Sequence, residues 1–423
     1  MRSGKHIKQS ILVLTQLYPN PTTPYLGTFV ARQLQHLKTR YSIVVLTIHD
    51  VSFTRRPRLG RPQYQFQNGI HVYSLPHWRP YWLAGLWLLG RISRRFWDFT
   101  PAVDKLSTSR KISAFARKLH EEYSFSLVHG HETYVGDECA SIGRILRIPS
   151  VFTLHGVYWY HLESFGKKAV RRAVANMNAA DRLIAVSLVS ANSYREHGVR
   201  RDFEIIPDGT DPQPSGLHDF TVPPDIAAFA RGRILLLTVG FFAVEKRIEL
   251  SIRTLARLHR NGRHDTALVI IGKGPLEAHY RKIIRQEGLA DAVRIIGQVL
   301  PNNMASYYSV ADILVHPSIV ESFSMVCLEA MSHGKPIVCT SNIGLTEHLH
   351  PGKDAIVVPP DDPEALYEAV LRLVRSPSKR RMLGQQARQT ANDLSWSNQV
   401  RRIERVYEEI LVAQKKHLTR KVK

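Results

Sequence analysis

Short β-branched runs alternate with longer amphipathic stretches along almost the whole chain, and the alternation breaks once, at a proline-rich segment. No other feature restricts the fold so tightly. In the first series, strand candidates lie at 11–15, 43–47, 70–75, 127–129, 151–154, 183–185 and 204–206, with helical patterns such as 111–122 and 167–177 between them. Strands separated by helices predict a parallel sheet covered on both faces. Residues 207–224 read PDGTDPQPSGLHDFTVPP, five prolines and two glycines in 18 positions, which predicts a linker. The series then resumes, with strands at 234–239, 267–271, 293–296, 313–315, 337–339 and 355–358 and helices at 248–260, 276–287, 303–309 and 325–331. The expected class is therefore α/β. One unit covers 1–207, a linker 208–224, a second unit 225–395, and a terminal helix with a basic tail 396–423. Two such units place a cleft between them, and in open α/β sheets ligands sit at the carboxyl ends of the strands.

At 423 residues, with 44% hydrophobic and 22% charged residues, the chain has material for two to three domains and is neither disordered nor fibrous. Its 58 Lys and Arg against 36 Asp and Glu leave a net charge of +22. Such a balance favours anionic partners: nucleic acid, an anionic membrane face or phosphorylated ligands. The first 100 residues carry fourteen Lys and Arg against two acids, Asp50 and Asp98. Cys139, Cys327 and Cys339 are too few and too scattered for a disulfide framework or a zinc cluster, as expected in a reducing cytosol. The start, MRSGKHIKQSILVLTQLYPN, imitates an export signal. Its apolar run 11–14 is short, Gln16 interrupts it and no small-residue cleavage site follows, so it reads as a first buried strand. The longest other apolar stretch, 81–89, falls well under the roughly 20 residues a membrane-spanning helix needs.

Three segments of the second unit carry candidate chemistry. In 315–337, VHPSIVESFSMVCLEAMSHGKPI, a strand gives way to a loop and then to a helix near Ser324. The amides of Phe323, Ser324 and Met325 would be free at that helix start, which attracts phosphate. Glu321 in the loop and Glu329 in the helix, seven residues between them, would face one ligand at a reach suited to hydroxyls. An ordinary loop capped by Ser322, with a solvated glutamate, is the competing reading. In 238–249, TVGFFAVEKRIE, Lys246 and Arg247 precede a helix and would complement a diphosphate, unless they are merely a solvated basic pair. Gly272-Lys273-Gly274-Pro275 sits between strand and helix, yet Glu277 stands where a dinucleotide fingerprint needs a third glycine. A tight strand-to-helix turn explains it as well.

In the first unit, His155 ends a strand and could position a hydroxyl, although a lone histidine is more often structural. His129 and His131 end the preceding strand. Gly27, before the helix 29–37, allows a close backbone approach to a ligand. Other chemistries find little support. The chain lacks GxSxG, GxxxxGK[ST] and HExxH, and no Asp-x-Asp pair is present to hold a metal–diphosphate.

In order and spacing these segments resemble the retaining glycosyltransferases of family 4 (group 1) type, whose GT-B fold pairs two Rossmann-like domains. The resemblance runs nearly end to end: TPYLGTFVARQ, FTLHG, AADRLIAVSLVS, IIPDGTD, VGFFAVEKRIEL, VIIGKGPLE, VRIIGQV, YYSVADILVHPSIVESFSMVCLEAMSHGKPIV, NIGLTEHL and VVPPDDPEAL, then SWSNQVRRIERVYEEI in a last helix that returns to the first domain. Each motif alone is weak; together they are specific. The resemblance implies an E-x7-E pair, with Glu321 on donor-sugar hydroxyls and Glu329 on the ribose. It implies Lys246 and the amides of Phe323, Ser324 and Met325 on the diphosphate, His155 near the reacting centre, and Gly27 in the loop on the phosphate side. Gln298 and Val299 would meet the base. There are departures. Phe241 stands where many relatives carry Arg, which leaves Arg247 as the candidate second cation. Leu26-Gly27 replaces a glycine pair, and Ser324 replaces a glycine.

The reaction so implied moves a sugar from a nucleotide-diphospho-sugar to a hydroxyl, with retention, no cofactor and no metal. Trp78, Trp82, Trp87 and Trp97, beside Arg79, Arg91, Arg94 and Arg95, suit a bilayer interface. The expected protein is a cytoplasmic enzyme, peripheral on an anionic membrane, acting on a lipid-linked or cell-envelope glycan; a helix packed on its own domain is the alternative. An epimerase or phosphorylase on the same architecture is the rival within enzymology. A nucleic-acid-binding protein is the rival outside it, but the aromatics cluster in an apolar run and no binding module is visible.

Overall fold

The computed structural model describes residues 8–20, 23–50, 62–77, 94–132, 135–156, 167–213 and 221–422. The tryptophans at 78, 82 and 87 lie outside them, and the side chain of Trp97 is likewise outside the description.

Contacts divide the chain into two compact units, Met1–Ile206 with Val400–Lys423, and Pro207–Gln399. The first unit holds an eight-stranded sheet in the order β3-β4-β2-β1-β5-β6-β7-β8. Its strands are β1 Ser10–Thr15, β2 Ser42–Asp50, β3 Gln63–Gln67, β4 Ile70–His77, β5 Leu127–His131, β6 Ser150–Leu154, β7 Arg182–Ala185 and β8 Phe203–Ile205. All pairs are parallel except β3 with β4. That hairpin departs from the all-parallel expectation. QYQFQ alternates, but its residues are exposed or half-buried, so no apolar run marks it. The stretch 10–15 forms β1 beside the centre of the sheet, with Ile11 to Leu14 fully buried.

The second unit carries β9 Ile234–Val239, β10 Thr266–Ile271, β11 Val293–Gly297, β12 Ile313–His316, β13 Ile337–Thr340 and β14 Ile356–Val358, in the order β11-β10-β9-β12-β13-β14, all parallel. These strands read as continuous apolar runs because parallel sheets are covered on both faces. The helix Ile248–Arg260 shows why its sequence coils. Ile248, Ile252, Leu255 and Ala256 fall on one face and are buried, while Arg253, Arg257 and Arg260 fall outside it and pair with Glu287 or Glu364. That face joins Leu236, Leu268, Ile270 and Ile313 in a single core.

One boundary differs from the sequence reading. Residues 208–213 are not a free linker: Thr210 N donates to Leu394 O at 3.1 Å, and Trp396 N donates to Thr210 O at 3.0 Å. Part of that reading, 214–220, lies outside the described residues, and the helix Pro224–Ala230 begins where the linker was expected to end. The last helix, Trp396–Val422, belongs to the first unit from Val400 on, the return that the sequence reading expected. There Tyr407 hydrogen-bonds His129, and Glu404 and Glu408 pair with Arg40.

Candidate active site

In the second unit, β10 and β11 extend the sheet to one side of β9, and β12 lies on the other. After β9 and β12 the chain therefore runs to opposite sides of the sheet, the switch point whose crevice takes ligands in open α/β sheets. Lys246 belongs to the first loop and Glu321 to the second.

Three donors converge on one oxygen. Glu321 Oε1 accepts from His316 Nε2 at 2.7 Å, Lys246 Nζ at 2.8 Å and Ser318 Oγ at 2.8 Å. Oε2 meets no protein donor among the described residues. Burial opposes the charge on Glu321, but His316 and Lys246 outweigh it and hold the carboxyl well below its usual range. Burial also opposes charge on His316, yet Cys327 and Glu321 act against it and raise its pKa. The loop is pinned at both ends: Glu321 N donates to Asn342 O at 3.2 Å, Gly344 N to Glu321 O at 3.0 Å, and Ile319 N to Glu245 O at 2.8 Å.

The helix Met325–Ser332 starts four residues after Glu321 and is anchored by buried Cys327, Leu328, Ala330 and Met331. Among the described residues the amides of Phe323, Ser324 and Met325 reach no protein acceptor, which leaves a helix start open to an anion. Ser324, at φ 91°, is in the left-handed region, and its Oγ lies 3.2 Å from His316 Nε2. Glu329 Oε2 accepts the Tyr308 hydroxyl at 2.8 Å; burial, and then the Glu329 charge, push that hydroxyl well up.

Arg247 goes elsewhere. It pairs with Asp361 at 2.7 Å and with Glu249 at 3.4 Å, so of the two expected cations only Lys246 is directed to the Glu321 loop. Phe241 is 55% exposed. Gln298, exposed, and Val299, half-buried, follow the carboxyl end of edge strand β11, and no hydrogen bond or ion pair joins them to the Lys246–Glu321 pair. The turn Gly272–Gly274 has a steric cause: a Cβ on Gly272 would lie 1.9 Å from Gly240 O. Among the described residues no group of three or more His, Cys, Asp or Glu is arranged to hold a metal ion.

The first unit gathers a second cluster around His155, which follows β6. His155 Nε2 lies 2.9 Å from His131 Nδ1, its backbone N–H donates to Glu132 Oε1 at 3.1 Å, and its ring packs on Phe29 with centroids 4.6 Å apart. His129 bridges Thr153 and Tyr407, and burial drives its pKa down to about 3. Burial, with His129 and His155 adding to it, also keeps His131 neutral. Gly27, at φ 70°, starts the helix Thr28–Leu37, which brings the loop after β1 to His155; a Cβ there would meet Leu17 O at 2.1 Å. Packing accounts for that glycine before any ligand does.

Sequence reasoning missed His316, Ser318, Tyr308 and Glu132. The spacing of His316, Ser318 and Glu321 was readable, but only the bridge between Glu321 and Ile343 folds the loop back so that all three meet.

The family model described as glycosyl transferases group 1 matches residues 224–390, and the one described as Glycosyltransferase Family 4 matches residues 26–214. The chain belongs to this group 1, family 4 type of glycosyltransferase, and its two parallel-sheet units are the Rossmann-like domains of the GT-B fold. Particular relatives stand further off. The D-inositol 3-phosphate glycosyltransferase of Nocardiopsis dassonvillei is 29% identical over 314 residues, 69% of this chain and 72% of that one. The alpha-D-kanosaminyltransferase of Streptomyces kanamyceticus is 35% identical over 155 residues, 37% of this chain and 40% of its own length. Among solved structures, Anabaena HepE in complex with UDP shares the fold with a TM-score of 0.69 at 18% identity, covering 95% of this chain and all 100% of that one. Sucrose-phosphate synthase from Thermosynechococcus elongatus does so with a TM-score of 0.69 at 20% identity, covering 96% of this chain and 100% of that one.

Proposed function

We propose that this glycosyltransferase takes its sugar from a nucleotide-diphospho-sugar held by the second unit and passes it, with retention, to a hydroxyl held by the first. The observation that carries the reading is the crevice between β9 and β12, where an anchored carboxylate, a lysine and an open helix start lie together. Glu321 offers Oε2 to donor-sugar hydroxyls, and Glu329 faces the ribose. Lys246 and the amides of Phe323, Ser324 and Met325 carry the diphosphate charge. Gln298 and Val299 lie toward the base. His155 serves the reacting centre, and the Gly27 loop the phosphate side of the donor.

The acceptor oxygen attacks the anomeric carbon on the face the leaving group departs from. The bond from that carbon to the diphosphate oxygen breaks, and the leaving phosphate takes the acceptor proton. Charge on the departing nucleoside diphosphate is met by Lys246 and the helix start, donors already in place that need no reorganisation. We read this as a metal-independent arrangement. UDP is the first nucleotide to test, because HepE was solved with UDP and UDP-glucose, and GDP-mannose the second. The acceptor we propose is a lipid-linked or envelope glycan at an anionic cytoplasmic membrane face, in keeping with the basic first hundred residues.

The test is sugar transfer by purified protein. Lys246→Ala is expected to lose on the order of a hundredfold or more in rate, and a chelator to change nothing. Unchanged transfer in Lys246→Ala sinks the donor site; abolition by the chelator sinks the metal-free reading.

A further inference from the structure

We propose that His316 is a positioning residue for the donor sugar: its Nε2–H ties Glu321 Oε1 to Ser324 Oγ, so that Oε2 of Glu321 is presented to the sugar hydroxyls. The inference rests on the donor-site reading above and goes beyond it, from which residues touch the donor to what holds them.

A carboxylate on a loop can rotate, and a rotating carboxylate gives a sugar no fixed acceptor. Here rotation is blocked. Oε1 receives His316 at 2.7 Å, Lys246 at 2.8 Å and Ser318 at 2.8 Å, which fills that oxygen. Of the three donors, Lys246 is the mobile one: it is 23% exposed, and a diphosphate would compete for it. Ser318 lies on the same loop as Glu321, its carbonyl held by the Thr340 hydroxyl of β13. His316 is the donor that lies in the sheet itself: it ends β12, pairs in register with Cys339 of β13 and is 2% exposed. The same nitrogen lies 3.2 Å from Ser324 Oγ, at the start of the helix whose amides await the diphosphate. One imidazole thus couples the sugar-facing carboxylate to the phosphate-facing turn, and fixes their separation.

Loss of the imidazole should therefore weaken recognition of the sugar and spare that of the nucleotide, a split that general damage to the fold would not produce. The probes are UDP-glucose, UDP-N-acetylglucosamine and GDP-mannose, with UDP and GDP as sugar-free controls, titrated calorimetrically into the full chain. The sugar nucleotide that binds wild type best is used throughout. In His316→Leu and His316→Asn, its affinity relative to its own nucleoside diphosphate is expected to fall about tenfold, the scale of one lost hydrogen bond to a charged group. Affinity for the bare diphosphate should stay within about twofold. His316→Gln, whose amide nitrogen reaches the Nε2 position, should restore most of the ratio. If His316→Leu does not fold, His316→Asn carries the same expectation. An unchanged ratio in a folded variant, with wild type binding the probe, overturns the role of His316 and leaves the donor site standing. Wild type that binds none of the probes overturns the donor site, and this proposal with it.

Discussion

At the scale of single residues, the site is built on two departures from ordinary side-chain behaviour. Ser324 sits at φ 91°, a conformation that costs an L-residue about 1–2 kcal/mol. With the hydroxyl removed from both variants, Ser324→Gly should be more stable than Ser324→Ala by about 1 kcal/mol in denaturant unfolding. Equal stability would mean the turn relaxes. Glu321 is the other departure. Its folded pKa lies below the unfolded carboxylate's value of about 4.3, so its contribution to stability is complete above that pH and fades as pH falls below it. Wild type should exceed Glu321→Gln in unfolding midpoint most at neutral pH, and the gap should narrow toward about pH 3. A gap that is constant with pH would show that His316 and Lys246 do not act on its charge. Much of this was legible. Glu321, Glu329, Lys246 and the helix start could be named from their order along the chain. The geometry around them could not. A histidine closing a strand says nothing about which oxygen it holds, and Lys246 and Arg247, neighbours in sequence, turn to different carboxylates.

At the scale of elements, glycines hold the loops that present the site. Gly27 and Gly272 abut backbone carbonyls, with Cβ positions 2.1 Å from Leu17 O and 1.9 Å from Gly240 O. Gly27→Ala and Gly272→Ala should each lower stability by roughly 2 kcal/mol or more, read as a drop in thermal midpoint. A midpoint at the wild-type value would show that the loops give way. Loss of activity in Gly27→Ala is accordingly no proof of phosphate contact. Buried parallel strands were the most legible elements, because each reads as an apolar run: residues 234–239 form β9 as expected. The hairpin strand β3 was not legible, since Gln63, Gln65 and Gln67 alternate with aromatics that remain exposed. The helix Arg94–Tyr123 was read only from residue 111, its mixed first half showing no apolar stripe.

At the scale of the whole molecule, the net charge of +22 separates into local roles. One cation, Lys246, is paired with Glu321 in the crevice between β9 and β12, and several arginines are spent on ion pairs with Glu287, Glu364 and Asp361. We propose that the surplus of the first hundred residues meets an anionic surface. Among the described residues no helix is long and apolar enough to cross a membrane. The protein should float with liposomes containing anionic lipid at low salt and be released as salt rises. Failure to float at low salt would remove the membrane from the account.

The central claim is that the crevice between β9 and β12 binds a sugar nucleotide through Glu329, Glu321 and Lys246. The most direct measurement is the thermal midpoint of wild type and of Glu329→Ala across UDP- and GDP-sugars, because a ligand bound only by the folded protein stabilises it in proportion to its affinity. The account predicts a rise for wild type with one nucleotide class, and a rise reduced or lost in Glu329→Ala. An equal rise in both proteins, or none in wild type, would contradict it.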